Sequence, residues 1–460
     1  MCFNPAPPSS SGFPARTADL LLRLLFTILL CMQTASALAQ STCPDLSPFY
    51  ADPQPNWFDV EQRLAGIMGL CLDNSEYFAL IGAAQLNSGQ LSPALESLER
   101  ALLINPDNGA AQVDYAQTLF ELGQLFGALE LNKRLLDRED LPTSLLPALE
   151  ARQRRWRSLT RESLLSADLL AGHDSNLNGG PDSAQITLTP SGDPLLLALN
   201  SDLRPVSGAY LNLALNGRFR QLAPNHQHNV IAQLRGRVSK DKDSDLVQAA
   251  AQYAYIQPGS RYSWQAGFGM NHLFFGGSPL FSGAEASFRA QTTSDRACKP
   301  AYDLAIQHQY YHSQRLLNGM EARVGGGFNC ELSTRGELQQ FSATINVLRN
   351  EALKHNRLGG DRNGWQLLMD WRKPLLSGEL RSQLSFTKLK DVSGYSPLLS
   401  NDANRRQERG SISLQYSKPL SVLGRPAALL VNVYHQRQRS NIELFRTVDS
   451  SAEIGFSWRF

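Results

Sequence analysis

The chain has 460 residues, of which 42% are hydrophobic, and a formal net charge of only +2. That length holds two or three ordinary domains, or one large barrel with an accessory domain. So small a charge argues against a nucleic-acid binder held by bulk electrostatics, and the slightly negative mean hydropathy fits a soluble protein and a polar-lumen barrel equally.

Residues 1–39 read as a secretory signal peptide. Arg16 and Arg23 supply positive charge, residues 24–32 form a short apolar core, and Ala37-Leu38-Ala39 is a small-x-small cleavage site. The core is too short to span a bilayer as a helix, and no later stretch is long enough either. Any membrane crossing is therefore expected to be by strands. Cys31 follows Leu30, where a lipid-attachment site would need a small residue. The exported chain keeps Cys43, Cys71, Cys298 and Cys330, with no CxxC spacing. An oxidising compartment favours two disulfides, and buried unpaired thiols are the alternative.

Residues 40–76 form a polar lead-in that ends in a capping helix over the apolar-periodic run 58–72. An internal repeat follows. Gly89-Gln90-Leu91 recurs as Gly123-Gln124-Leu125, and Ala94-Leu95-Glu96 as Ala128-Leu129-Glu130. The common offset is the period of tetratricopeptide repeats. Gly82, Leu98, Ala101 and Pro106 of the first copy sit at that family's spacings for helix packing and for the stop between units. The second copy is weaker, because Asn132 replaces a large apolar residue and Pro142 comes late. Residues 77–160 are thus expected to be a periplasmic helical array whose groove takes a protein cargo or chaperone. Arg152, Arg154, Arg155 and Arg157 near Trp156 read as a solvated helix face, or alternatively as a contact with anionic headgroups.

From 161 to 460 the period changes to two. Leu211, Leu213, Leu215 and Phe219 alternate with Asn212, Asn216, Arg218 and Arg220, and similar segments recur to the end, about fourteen in all. In the last of them Ile454, Phe456, Trp458 and Phe460 alternate with Glu453, Gly455, Ser457 and Arg459. A terminal aromatic residue suits a strand that closes a barrel at a bilayer interface. Connections around 257–260, 374–375 and 421–425 are short, whereas 173–206, 350–362, 390–407 and 438–447 are long. Such asymmetry belongs to an outer-membrane barrel. The fold class expected is therefore α+β and multidomain: a helical array, then a transmembrane antiparallel barrel. Arg218, Arg235, Arg237, Arg323, Arg381 and Arg459 fall on the lumen side of this register, with Glu285, Glu379 and Glu453. A net positive lumen follows, serving either packing or a path for anions. Cys298 and Cys330 flank one predicted hairpin and land at its inner end, and Cys43 and Cys71 would tie the lead-in to the first helix.

Two further stretches carry a family likeness. Gly172-His173-Asp174-Ser175-Asn176-Leu177-Asn178, with Pro181, resembles the motif at the start of the barrel in the surface lipoprotein assembly modifier family. Ser440-Asn441-Ile442-Glu443-Leu444-Phe445, running into Phe456-Ser457-Trp458-Arg459-Phe460, is similar to that family's ending. The resemblance implies a Gram-negative outer-membrane protein that moves lipoproteins to the cell surface. Its implied partners are membrane lipid, the barrel insertion machinery, and an exported lipoprotein or periplasmic chaperone. Relatives with the same layout export polysaccharides, usually with more repeats, and an adhesin-like structural role is a third reading.

Asp174, Ser175, Asn176 and Asn178 also offer oxygens for calcium, but no bidentate Glu closes the loop, and a tight turn wants the same residues. His173, His226, His228, His308, His312 and His355 are scattered without metal spacing. There is no nucleophile elbow, no framed carboxylate pair and no phosphate loop. The expectation is a protein that is not an enzyme and needs no cofactor.

Overall fold

The computed structural model describes residues 42–460 apart from 52, 53, 335 and 423. The proposed leader, 1–39, lies outside the described residues. The chain divides between Arg154 and Arg155 into two compact units.

The first unit is helical. Asn56, Asn74 and Asn108 cap the helices Trp57–Ala65, Ser75–Asn87 and Gly109–Glu121, each side chain accepting from a first-turn amide. Helices Leu91–Ile104 and Leu125–Leu136 complete two hairpins, followed by Leu146–Ser158. The paired helices begin at 75 and 109, and at 91 and 125, so the sequence repeat is a structural repeat of the same step. The run 58–72 is not one helix: it stops at Ala65 with Gly66 as its cap, and a short 3-10 turn, Met68–Leu70, follows. Val60, Leu64, Tyr77, Phe78, Leu98 and Ala101 form the core, and the Tyr77 hydroxyl donates to the Leu64 carbonyl at 2.9 Å.

The second unit is a closed antiparallel barrel of fourteen strands. Its first strand, Arg161–Asp174, pairs on one side with Gly208–Leu222 and on the other with the last strand, Thr447–Arg459. Every other strand of the barrel pairs with its sequence neighbours, so the seam between the first and last strands is what closes the sheet. Phe460 and Leu165 exchange both backbone hydrogen bonds at the end of that seam. The connections alternate in length. At one end they span 175–207, 240–245, 312–318, 353–361, 392–405 and 441–446, with one two-residue turn at Gly276-Gly277. At the other end none exceeds five residues.

The long connections are knitted together. The first carries a hairpin, Gln185–Leu188 with Leu195–Ala198, and Leu188 bridges to Leu399. The Thr187 amide donates to Glu443 at 2.6 Å, and the Asp182 amide to the Arg446 carbonyl at 2.8 Å. Arg405 lies between the rings of Tyr395 and Phe445, 4.6 and 4.5 Å from their centroids, with Asp391 at 3.1 Å. Burial pulls the Arg357 guanidinium in this layer below its ordinary range.

Candidate functional site

The alternation of the strands separates two environments. Leu213 is 53% exposed, while its neighbour Asn212 is 1% exposed. Leu211, Leu215, Phe219, Leu234, Val324, Ile345, Val347, Ile454 and Phe456 are likewise exposed on the outward face. A single face of a strand reverses with each residue, so this pattern puts the apolar side out and the polar side in. Aromatic rings gather near the short-turn end, where Tyr255, Trp264 and Phe288 stand 5.5 and 6.0 Å apart in sequence along the wall.

Glu453, on the last strand, is the hub of the interior. It accepts from the Tyr210 hydroxyl at 2.8 Å, from Asn212 at 2.9 Å and from Asn432 at 3.0 Å, with Arg235 at 3.7 Å. Arg237 pairs with Asp174 at 3.0 Å, Arg381 with Asp370 at 2.7 Å, and Arg323 with Glu285. These arginines face carboxylates, as the packing alternative expects, since inward charges in a narrow interior are retained when paired. Arg459 lines a cavity of about 200 Å³ with Asp168, Glu379 and Arg381. That cavity shares Asp168 and Gln415 with one of about 220 Å³, which in turn shares Asn212 and Arg235 with one of about 470 Å³. The three follow the seam from the short-turn end toward the long connections. Arg218 faces inward between them and the short turns, opposite Ile231 in register.

The motif at the start of the barrel is a clamp. Asp174 accepts from the Asn176 amide at 2.7 Å while its other oxygen holds Arg237. Ser175 accepts from the Ser450 amide at 2.8 Å, and Asn176 donates to the Gly180 and Val448 carbonyls. Asn178 donates to the Arg204 carbonyl at 2.8 Å and accepts from the Val206 amide. A Cβ at Gly172 would stand 2.7 Å from the Ala452 carbonyl oxygen, so the seam needs glycine there. The oxygens considered for calcium are thus committed to amides of the last strand and of the long connection after the first strand, and to Arg237. Phe456 sits between Leu169 and Leu429 in register, and Trp458 between Ala167 and Ala427.

In the helical unit, a Cβ at Gly82 would meet the Leu98 side chain at 2.6 Å, and Ala94, Ala101 and Ala128 are fully buried. Gly89 and Gly123 take φ of +78 and +79 between paired helices, and Pro106 lies in the connection before the second pair. Asn132 is fully buried and fully used: it donates to the Leu149 carbonyl and Gln153, and accepts from Arg152 at 2.7 Å. Arg152 is thus corrected from a solvated face to an inward role, reaching also the Val113 carbonyl at 3.1 Å. Burial raises the carboxyl of nearby Asp114 to about 6, against the opposing pull of Arg152.

Cys43 is bonded to Cys71, and Cys298 to Cys330, the latter directly opposite each other on neighbouring strands. Two histidine clusters escape sequence reasoning. His272 and His312 flank the Ser282 hydroxyl at 2.7 and 2.8 Å, and His226 and His228 meet at 3.1 Å. The i, i+2 spacing of His226 and His228 is the one signal that marks a shared face; the first cluster joins three elements and leaves none.

The tetratricopeptide repeat family matches residues 85–152. No curated protein matches the chain. Among solved structures, the tetratricopeptide domain of Arabidopsis OM64 is 20% identical, covering 22% of this chain and 81% of its own, with a TM-score of 0.20. An anion-selective porin from Comamonas acidovorans is 10% identical over 65% of this chain and 99% of its own, TM-score 0.34. A bacterial polysaccharide outer membrane secretin is 10% identical over 64% and 98%, TM-score 0.31.

Proposed function

We propose that the chain is an outer-membrane translocation protein that moves a macromolecule, most directly a surface lipoprotein, out of the periplasm. The observation that carries this reading is a closed barrel with an apolar outside and a polar inside, joined directly to a repeat array. Closure leaves no sheet edge, and an outward apolar face is stable only against lipid or another apolar surface. The repeats, 77–160 in this reading, are periplasmic and dock the cargo or its chaperone. The interior is assigned passage and no catalysis.

Deleting residues 77–140 tests the assignment. The expected product is a heat-modifiable barrel in the outer membrane and loss of lipoprotein display on intact cells. Display that survives the deletion, or a barrel that fails to insert, contradicts it.

The lining of the interior favours a second reading. Amides such as Asn212, Gln233, Gln248, Gln415 and Asn432 dominate cavities of a few hundred Å³. Paired charges, amides and the Tyr210 and Tyr434 hydroxyls suit a narrow neutral polymer such as a polysaccharide. A deletion strain that keeps its surface lipoproteins and stops secreting polysaccharide would select this reading.

A further inference from the structure

His226 closes the short turn between the strands Gly208–Leu222 and Gln227–Ser239, where the Ala223 amide donates to the His226 carbonyl at 2.8 Å. His228 lies two residues on, and period two returns its side chain to the same outward face. The two Nε2 atoms stand 3.1 Å apart. Two nitrogens bound to one tetrahedral ion at about 2.0–2.1 Å lie about 3.3–3.4 Å from each other, so the rings need to move by only tenths of an ångström. The rings are also held. His228 Nδ1 is 2.8 Å from the Tyr253 hydroxyl, and the His226 ring stacks on Tyr255 with centroids 4.8 Å apart. An oxygen partner on the far nitrogen fixes the tautomer and orientation of a metal-ligating imidazole.

We propose that His226 and His228 form a two-imidazole site for a divalent transition-metal ion, of the Zn²⁺, Ni²⁺ or Cu²⁺ class, on the outer rim of the barrel. Imidazole nitrogen selects these ions over Ca²⁺ and Mg²⁺. Among the described residues no group of three His, Cys, Asp or Glu gathers, so water completes the shell. Both rings are half-exposed, which leaves the open positions reachable. Without an ion, one ring must donate to the other across the 3.1 Å gap; an ion lets both present lone pairs.

The test is calorimetric titration of the full chain in detergent with Zn²⁺, in chelator-stripped buffer. Heat-modifiable gel mobility checks that each variant is folded. The expected result is one saturable site, lost in His226→Ala and in His228→Ala. Tyr253→Phe should weaken it by about ten- to a hundredfold, the usual effect of a lost second-layer partner. A variant with His272→Ala and His312→Ala together should bind as the native chain does. A native chain without a saturable site, or an isotherm that survives His228→Ala, overturns the proposal. So does loss of binding in the His272 and His312 variant with the His228→Ala isotherm unchanged.

Discussion

In the helical unit Leu64, Leu98 and Ala101 are fully buried, whereas in the barrel Leu213 and Ile345 are more than half exposed and Asn212 and Asp391 are sealed inside. The same apolar residues thus serve opposite faces. Water sorts the first unit, where burying a leucine is worth about 1.5–3 kcal/mol. The second carries its apolar surface outward and its polar groups inward, an arrangement that water alone penalises. Inverted patterning in one chain points to two solvents.

Charge substitutions break the comparison most sharply. Leu98→Lys should cost the helical unit about 4 kcal/mol or more, since it buries an unpaired ammonium, and its thermal transition should be lost. On the last strand, Phe456→Lys should cost about 2–4 kcal/mol if it stands near the bilayer midplane, while Ser457→Lys costs little. Gel mobility of the two variants with and without heating measures the difference, and equal behaviour would mean the faces are misassigned. The disulfides sharpen the contrast. Cys43–Cys71 has a sequence separation of 28 and closes a loop that holds the helix Trp57–Ala65, so Cys71→Ser should destabilise the helical unit by about 3 kcal/mol in denaturant titration. Cys330→Ser should change the barrel less, because its strand is already paired with Cys298–Tyr311 from Gly319 to Cys330.

The smallest effect is a pH dependence confined to the helical unit. Asp114 is raised by burial from 3.8 to about 6, so the folded unit holds this proton more tightly than the unfolded chain. Its contribution is favourable below pH 3.8, and is lost as pH rises through about 6. Asp114→Asn should therefore stabilise the unit at pH 7 by about 1–2 kcal/mol and flatten its stability between pH 4 and pH 7.

Much of this architecture is written in local periods. The 34-residue step between Gly89-Gln90-Leu91 and Gly123-Gln124-Leu125 predicts the two hairpins, and the alternation around Leu213 predicts strands with one apolar face. The interior is not legible in the same way. Glu453 meets Asn212 and Tyr210 across more than two hundred residues, and only closure of the last strand on the first brings them together. Asn132 looks like a flaw in its repeat because its partners, Arg152 and Gln153, come from the following helix. The run 58–72 reads as one helix by its apolar spacing, yet Gly66 ends it. The lumen arginines are visible one strand at a time, whereas their carboxylates lie on other strands, adjacent for Arg381 with Asp370 and not adjacent for Arg235, Arg237 and Arg323.

The tryptophans offer the most direct measurement of the two-solvent account. Of the six in the chain, Trp264, Trp365, Trp371 and Trp458 alternate onto the outward face of the barrel, while Trp57 and Trp156 belong to helices. Native protein reconstituted into vesicles of brominated lipid should lose most of its tryptophan emission relative to unbrominated vesicles. Emission unchanged by brominated lipid and quenched by acrylamide in water would contradict a lipid-facing barrel.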